Sequence, residues 1–257
     1  MLNRRAKTGS IICIVAAGIA AAFFIPPIAQ DPEYFNFADH RTLWSIPNFG
    51  DVVSNILFLL VGILGLLALR RHWKDKTRFT HPLEAIPFCV AFTGLILLAP
   101  GSSYFHWTPA NDTLIWDRLP MTLVFMAFFS IIIAERIHLK AGLYLLPILM
   151  VVGVGSVIYW DVTESAGHGD LRLYALVQFL PVLMIPVILI LFNPVYTGGR
   201  HLVAVIVGYG LAKGFELLDG WVYAFTHHLM SGHTLKHLVA AIAVFGLVKY
   251  IRVRQRI

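Results

Sequence analysis

Apolar residues fill the chain in long, nearly unbroken runs, and polar residues collect in the short segments between them. Eight runs approach the roughly 20 residues that cross about 30 Å of hydrocarbon as a helix. They cover residues 10–28, 51–69, 83–105, 113–134, 143–158, 173–192, 202–225 and 234–250. The fifth is short and glycine-rich and leads into the most polar loop, 159–174. The sixth contains Pro181 and Pro186, which predict a kink that membrane helices tolerate. The first run follows Arg4, Arg5 and Lys7 and exceeds the usual apolar core of a signal peptide. It therefore reads as a retained helix, with a cleaved signal peptide as the alternative. No repeat or low-complexity linker divides the remainder of the chain. Two units are expected: an amino-terminal transmembrane helix over 1–30 and a seven-helix domain over 31–257.

Composition settles the solvent. Of 257 residues, 58% are hydrophobic and 13% charged, and the mean hydropathy is +0.75, too little polar surface to cover a water-soluble globule. The chain is read as an all-α integral membrane protein. A net charge of +6 does not indicate nucleic acid, because no basic stripe is interleaved with aromatics. The Lys and Arg residues lie between the runs, as topology signals do. Threading the runs alternately, with the amino terminus inside, collects most of the 20 basic residues on one side. Both termini are thus expected in the cytoplasm. Short loops without organelle signals fit a bacterial inner membrane. Cys13 and Cys89 lie within apolar runs and imply no disulfide framework.

The polar residues inside this apolar frame carry the candidate chemistry. The stretch GSSYFHWTPANDTLIWDRLPM, residues 101–121, contains Ser102, His106 and Asp117, while HTLKH near the end supplies His233 and His237. The topology sends the end of the third run and the starts of the fourth and eighth to the outer, periplasmic side, so these residues share a depth. His233 and His237 are four apart, share one helix face and can reach one ion, ordinary interfacial histidines being the simpler alternative. A carboxylate facing lipid costs about 2.5 kcal/mol or more, so Asp117 faces the bundle or a cavity. Its structural alternative is a salt bridge to Arg118. Lys213, Glu216 and Asp219 recur every three residues and turn one face of the seventh run inward, for charge neutralisation or, alternatively, for a transporter's proton path. Tyr159, Trp160, Asp170, Arg172, Tyr174 and Gln178 are expected at the outer mouth, where Arg172 would grip a polar head group or snorkel.

GSSYFHWT, Asp117 and HTLKH, in that order and spacing, resemble the alkaline ceramidase family, part of a superfamily of seven-helix membrane hydrolases that includes the adiponectin receptors. NFGDVVSNILFLLVG, with Ser54 and Asn55, is similar to the family's first core helix, and AKGFELLDG to its penultimate one. The resemblance covers about residues 48–250. It implies a seven-helix ceramidase-like bundle with one extra amino-terminal helix. It also implies zinc on His106, His233 and His237, with Ser102 and Asp117 catalytic beside it. The implied activity is hydrolysis of a ceramide-like lipid, taken laterally from the bilayer, to a fatty acid and a free amine. Asn55, Arg172, Tyr174, Lys213, Glu216 and Asp219 would add polar contacts to the substrate or the fold. The family's calcium site uses the amino-terminal loop and a glutamate at the start of the first core helix. Asn48 stands where that glutamate falls, leaving Asp31, Glu33 and Asp39 as oxygen ligands or as a solvated loop. Two other classes compete: a zinc-containing lipid-binding or receptor-like protein without turnover, and a transporter.

Overall fold

A computed structural model describes residues 3–257, and among them the chain is helical, without a β-strand. Six helices long and apolar enough to cross a membrane come first in chain order. They are α1 (Arg4–Phe24), α2 (Phe49–His72), α3 (Ala85–Trp107), α4 (Asn111–Ile132), α5 (Leu139–Ser165) and α6 (Arg172–Leu191). Next come α7 (Arg200–Leu217) and α8 (Asp219–Phe225), a pair bent by 79°, and then α9 (Gly232–Val253), a seventh helix of spanning length. The bent pair makes an eighth crossing only if its two parts count as one span. The sequence of long apolar helices makes this an integral membrane protein, since in lipid each backbone polar group must be satisfied within its own segment.

Helices α2, α3, α4, α6, α7 and α9 surround the interior. Helix α5 packs outside α4 and α6, and α1 lies against α6. Helix α1 is appended rather than enclosed, with Ile11 as its one buried residue. The continuous span expected over 202–225 is broken at Leu218. There Gly232 at the head of α9 comes so close that an added Cβ would lie 2.3 Å from the Phe215 carbonyl oxygen. The fifth run is not short: α5 continues through Ser165 and carries Trp160, fully buried, into what reads as a polar loop. The indole packs with Phe105 and Leu114, and that burial extends the helix past the end of its apolar run.

At the end of the bundle away from residues 101–121, charges expected to act as solvated topology signals are internal. Arg254 is 1% exposed and lies 3.0 Å from Glu84 and 3.8 Å from Glu135. Its guanidinium stacks on Tyr196 at 3.6 Å and faces Phe79 at 4.7 Å. Tyr250 donates to Glu135, Tyr196 donates to Glu84, and Arg136 is buried beside Glu135. One arginine thus fastens the tail of α9 to the start of α3 and the end of α4. Arg254→Ala would leave two buried carboxylates short of their counter-ion, which typically costs about 3–5 kcal/mol. Denaturant unfolding of the purified protein should show a loss of that size, whereas exposed Arg252→Ala should change little.

Candidate metal centre

The site begins with a close approach of α3 to α4. A Cβ on Gly101 would lie 2.2 Å from the Trp116 carbonyl oxygen, so only glycine lets the two backbones come this near. Ser102 and Asp117, the next residues along each chain segment, consequently line one cavity of about 140 Å³ together with His237. Both are buried. The cavity adjoins a second, apolar one of about 120 Å³, and Phe58, Leu98, Met121, Tyr209 and Ala240 line both.

The first two turns of α9 carry His233 and His237. Ser231 caps the helix, its Oγ accepting from the Thr234 N–H at 2.8 Å. Ser231 Oγ and Thr234 Oγ1 donate to Asp51 Oδ1 of α2 at 2.9 and 2.6 Å. The His233 N–H, which a helix start leaves without an intrahelical partner, donates to Asp219 Oδ1 at 2.7 Å. His106, His233 and His237 are each almost fully buried, and their candidate ligand atoms lie within 4.8 Å of one another. The Nε2 atoms of His106 and His233 are 3.2 Å apart, close to the ~3.3 Å between two nitrogens held at about 2.0–2.1 Å in a tetrahedron. His237 Nδ1 is 2.8 Å from Ser54 Oγ, which leaves its Nε2 free to ligate. Three converging, buried nitrogen donors could hold a divalent metal ion.

Within the largely exposed segment 25–48, residues 34–39 form a roof over the imidazoles. Phe37 is 5% exposed, and its ring centroid lies 4.4 Å from that of His233 and 4.8 Å from that of His106. Tyr34 and Phe35 pack on Phe105, and the Ala38 N–H donates to Asp219 Oδ2 at 2.8 Å. The acidic residues thought of as calcium ligands are engaged elsewhere. Asp31 caps a short 3-10 turn, and the Glu33 carboxylate accepts from Asn36. Asp39 makes a two-point pair with Arg41 and accepts from the Gly50 N–H. Burial alone would raise the Asp39 carboxyl, but these hydrogen bonds outweigh it and hold it below its usual range. Asn48 adopts the left-handed conformation asparagine tolerates, φ +46°, and donates to the His106 carbonyl at 2.8 Å. Among the described residues, His106, His233 and His237 are the group of His, Cys, Asp or Glu side chains close enough to share one ion.

The remaining candidates divide by position. Lys213 and Lys236 both pair with Glu216, Lys236 at 3.1 Å, and all three line the polar cavity. Asp219 does not continue their helical face, because α7 ends before it. Its carboxylate instead joins the roof to α9. Asn55 is buried and donates to the Asp51 carbonyl at the break within α2. Arg172 pairs with Asp170 and donates to the Ile25 carbonyl, which ties α6 to the chain leaving α1. The Arg172 hydrogen bond, chiefly, holds the Asp170 carboxyl at about 2, so this clasp stays charged throughout the neutral range. Tyr174 is buried at the cavity wall.

Sequence reading passed over Phe37, Lys236 and the partnership of Ser54 with His237, because each acts on a residue more than a hundred positions away in the chain or across a helix turn from its ring. Lys236 Nζ lies 2.7 Å from His233 Nε2, at the edge of the imidazole group. Partners that orient a ligating histidine typically contribute about 10–100-fold to metal affinity. Ser54→Ala is therefore expected to weaken metal retention by that factor while the helical content stays unchanged, as read by metal analysis after graded chelation and by far-ultraviolet circular dichroism.

Comparison with curated proteins and with solved structures gave no match. The Ceramidase family model matches residues 38–209, which takes in α2 through α6 and much of the polar cavity, though neither the roof aromatics Tyr34, Phe35 and Phe37 nor the two histidines of α9. That match covers well over half of the chain, and with it the chain belongs to the Ceramidase family.

Proposed function

We propose that this protein is a zinc-dependent hydrolase working within the membrane, cleaving a ceramide-like N-acyl sphingoid lipid into a fatty acid and a free amine. One observation carries the reading: in a member of the Ceramidase family, three buried imidazoles converge beside a cavity lined by a serine and an aspartate. Family membership implies hydrolysis of the ceramide amide. The donor set supports zinc, since three neutral imidazoles are a ligand set that catalytic zinc takes. When bound, zinc supplies the Lewis acidity that makes water nucleophilic near neutral pH.

The chain's own groups do the rest. Asp117 takes the proton of the attacking water and returns it to the leaving nitrogen as the C–N bond breaks. Ser102 Oγ donates to the oxyanion developing on the amide carbonyl. Ser54 and Asp219 keep His237 and the first turn of α9 in place, while Phe37 and Phe105 keep bulk water off the imidazoles. The apolar cavity beyond Met121 and Tyr209 receives hydrocarbon, and the substrate enters sideways from the bilayer. The charge pattern supports cytoplasmic termini and a site towards the periplasmic face of a bacterial inner membrane.

Purified wild-type protein is expected to carry one zinc per chain and to turn over a fluorescent long-chain ceramide, whereas His106→Ala loses both properties. Asp117→Asn should keep zinc and lose roughly 10²–10⁴-fold in kcat, the usual reach of a general acid–base. Ser102→Ala should lose about 10²–10³-fold, as for one oxyanion donor. Protein that takes up no zinc when it is supplied and cleaves no amide would overturn the proposal. A zinc-loaded, folded but inert protein would select the receptor-like alternative.

A further inference from the structure

Three arginines are buried, Arg118, Arg136 and Arg254, and two of them face carboxylates. Arg118 differs: among the described residues, no acidic group lies within 4.0 Å of its guanidinium. It is held instead by an aromatic box, 4.1 Å from the Trp160 ring centroid, 4.7 Å from that of Tyr174 and 5.7 Å from that of Tyr34. One terminal nitrogen, Nη2, donates to Gln30 Oε1 at 2.7 Å. The other, Nη1, is buried without a partner, and so is Trp160 Nε1. Aromatic faces attract a cation but accept none of its N–H bonds in the plane, so the Nη1 end of the guanidinium stays available, beside an Nη2 that uses one of its two N–H groups on Gln30.

The position of that end matters. Arg118 lines the same cavity as Ser102, Asp117 and His237, beneath Gln30 and the roof residue Tyr34. Lys213 and Lys236 in the same wall both pair with Glu216, which leaves Arg118 as the cation of this wall without an acidic partner among the described residues. A buried N–H that finds no acceptor is unfavourable, and a guanidinium satisfies two oxygens of one anion at once. We propose that Arg118 is the recognition residue for an anionic oxygen group of the lipid: a carboxylate, phosphate or sulfonate. This group is carried either on the head of the substrate or as the carboxylate of the released fatty acid. The proposal rests on the cavity being the lipid site, as argued for the function.

The test uses probes that contain no amide, so it is independent of whether the protein hydrolyses ceramide. The full chain in zwitterionic nanodiscs is titrated with hexadecyl phosphate, palmitate and hexadecanol, with tryptophan fluorescence as the readout and Trp160→Phe identifying the part that reports from beside Arg118. Wild type should bind hexadecyl phosphate at least about tenfold more tightly than the neutral alcohol, as expected for charge-assisted hydrogen bonds. Arg118→Gln should close that gap, and Arg118→Lys should keep part of it. A gain shared by palmitate assigns the pocket to the released acid, and a gain confined to the phosphate assigns it to the substrate head. Equal binding of alcohol and phosphate by wild type, or a gap that survives in Arg118→Gln, overturns the proposal. The wild-type ratio decides against it even if the glutamine variant does not fold.

Discussion

Two carboxylates, the buried Asp51 and the half-buried Asp219, hold the first turn of the last helix, and the functional end of the molecule is built on that hold. Asp51 receives hydroxyl hydrogen bonds from Ser231 and Thr234, and Asp219 receives the His233 N–H. Helix starts present N–H groups with no partner in the helix, and inside a bilayer no water is at hand to satisfy them. Asp219, at the start of α8, meets this need for His233, Ser231 meets it for Thr234, and Asp51 of α2 holds the hydroxyls of both Ser231 and Thr234, so that the three together fix where His233 and His237 point. Because Asp219 also receives the Ala38 N–H, the same side chain positions the roof over the imidazoles. The break between α7 and α8 is thereby explained as well: a straight helix would carry Asp219 away from both partners.

The roof completes the site by packing aromatic rings over the imidazoles. Phe37, Tyr34 and Phe35 gather around Phe105 and the imidazole rings. Asp39 and Arg41 neutralise one another and pin the segment to Gly50 at the start of α2. Helix α1, though hardly buried itself, leads directly into this segment, and Arg172 secures the junction at Ile25.

Much of this was legible in the sequence. Run length and hydropathy give the membrane class and nearly every helix, since hydrocarbon thickness sets a length the chain cannot evade. The four-residue spacing of His233 and His237 places them on one helix face by geometry alone. The resemblance of GSSYFHWT and HTLKH to one family then grouped them with His106, and the structure does bring the three rings together. Local pattern misled where burial outweighed it: α5 runs past its apolar stretch to bury Trp160, and the 202–225 run breaks for a close backbone approach.

The sequence by itself determined that this chain lies in a membrane as a helical bundle and which residues could ligate a metal, because periodicity and transfer energy act over a few turns of chain. Only the tertiary structure decided what each polar residue does there. Asn48 supports His106, Ser54 orients His237, Asp219 joins the roof to α9, and Arg118 stands in an aromatic box with a donor to spare. These roles depend on partners from distant segments, and such pairings exist only once the helices have packed.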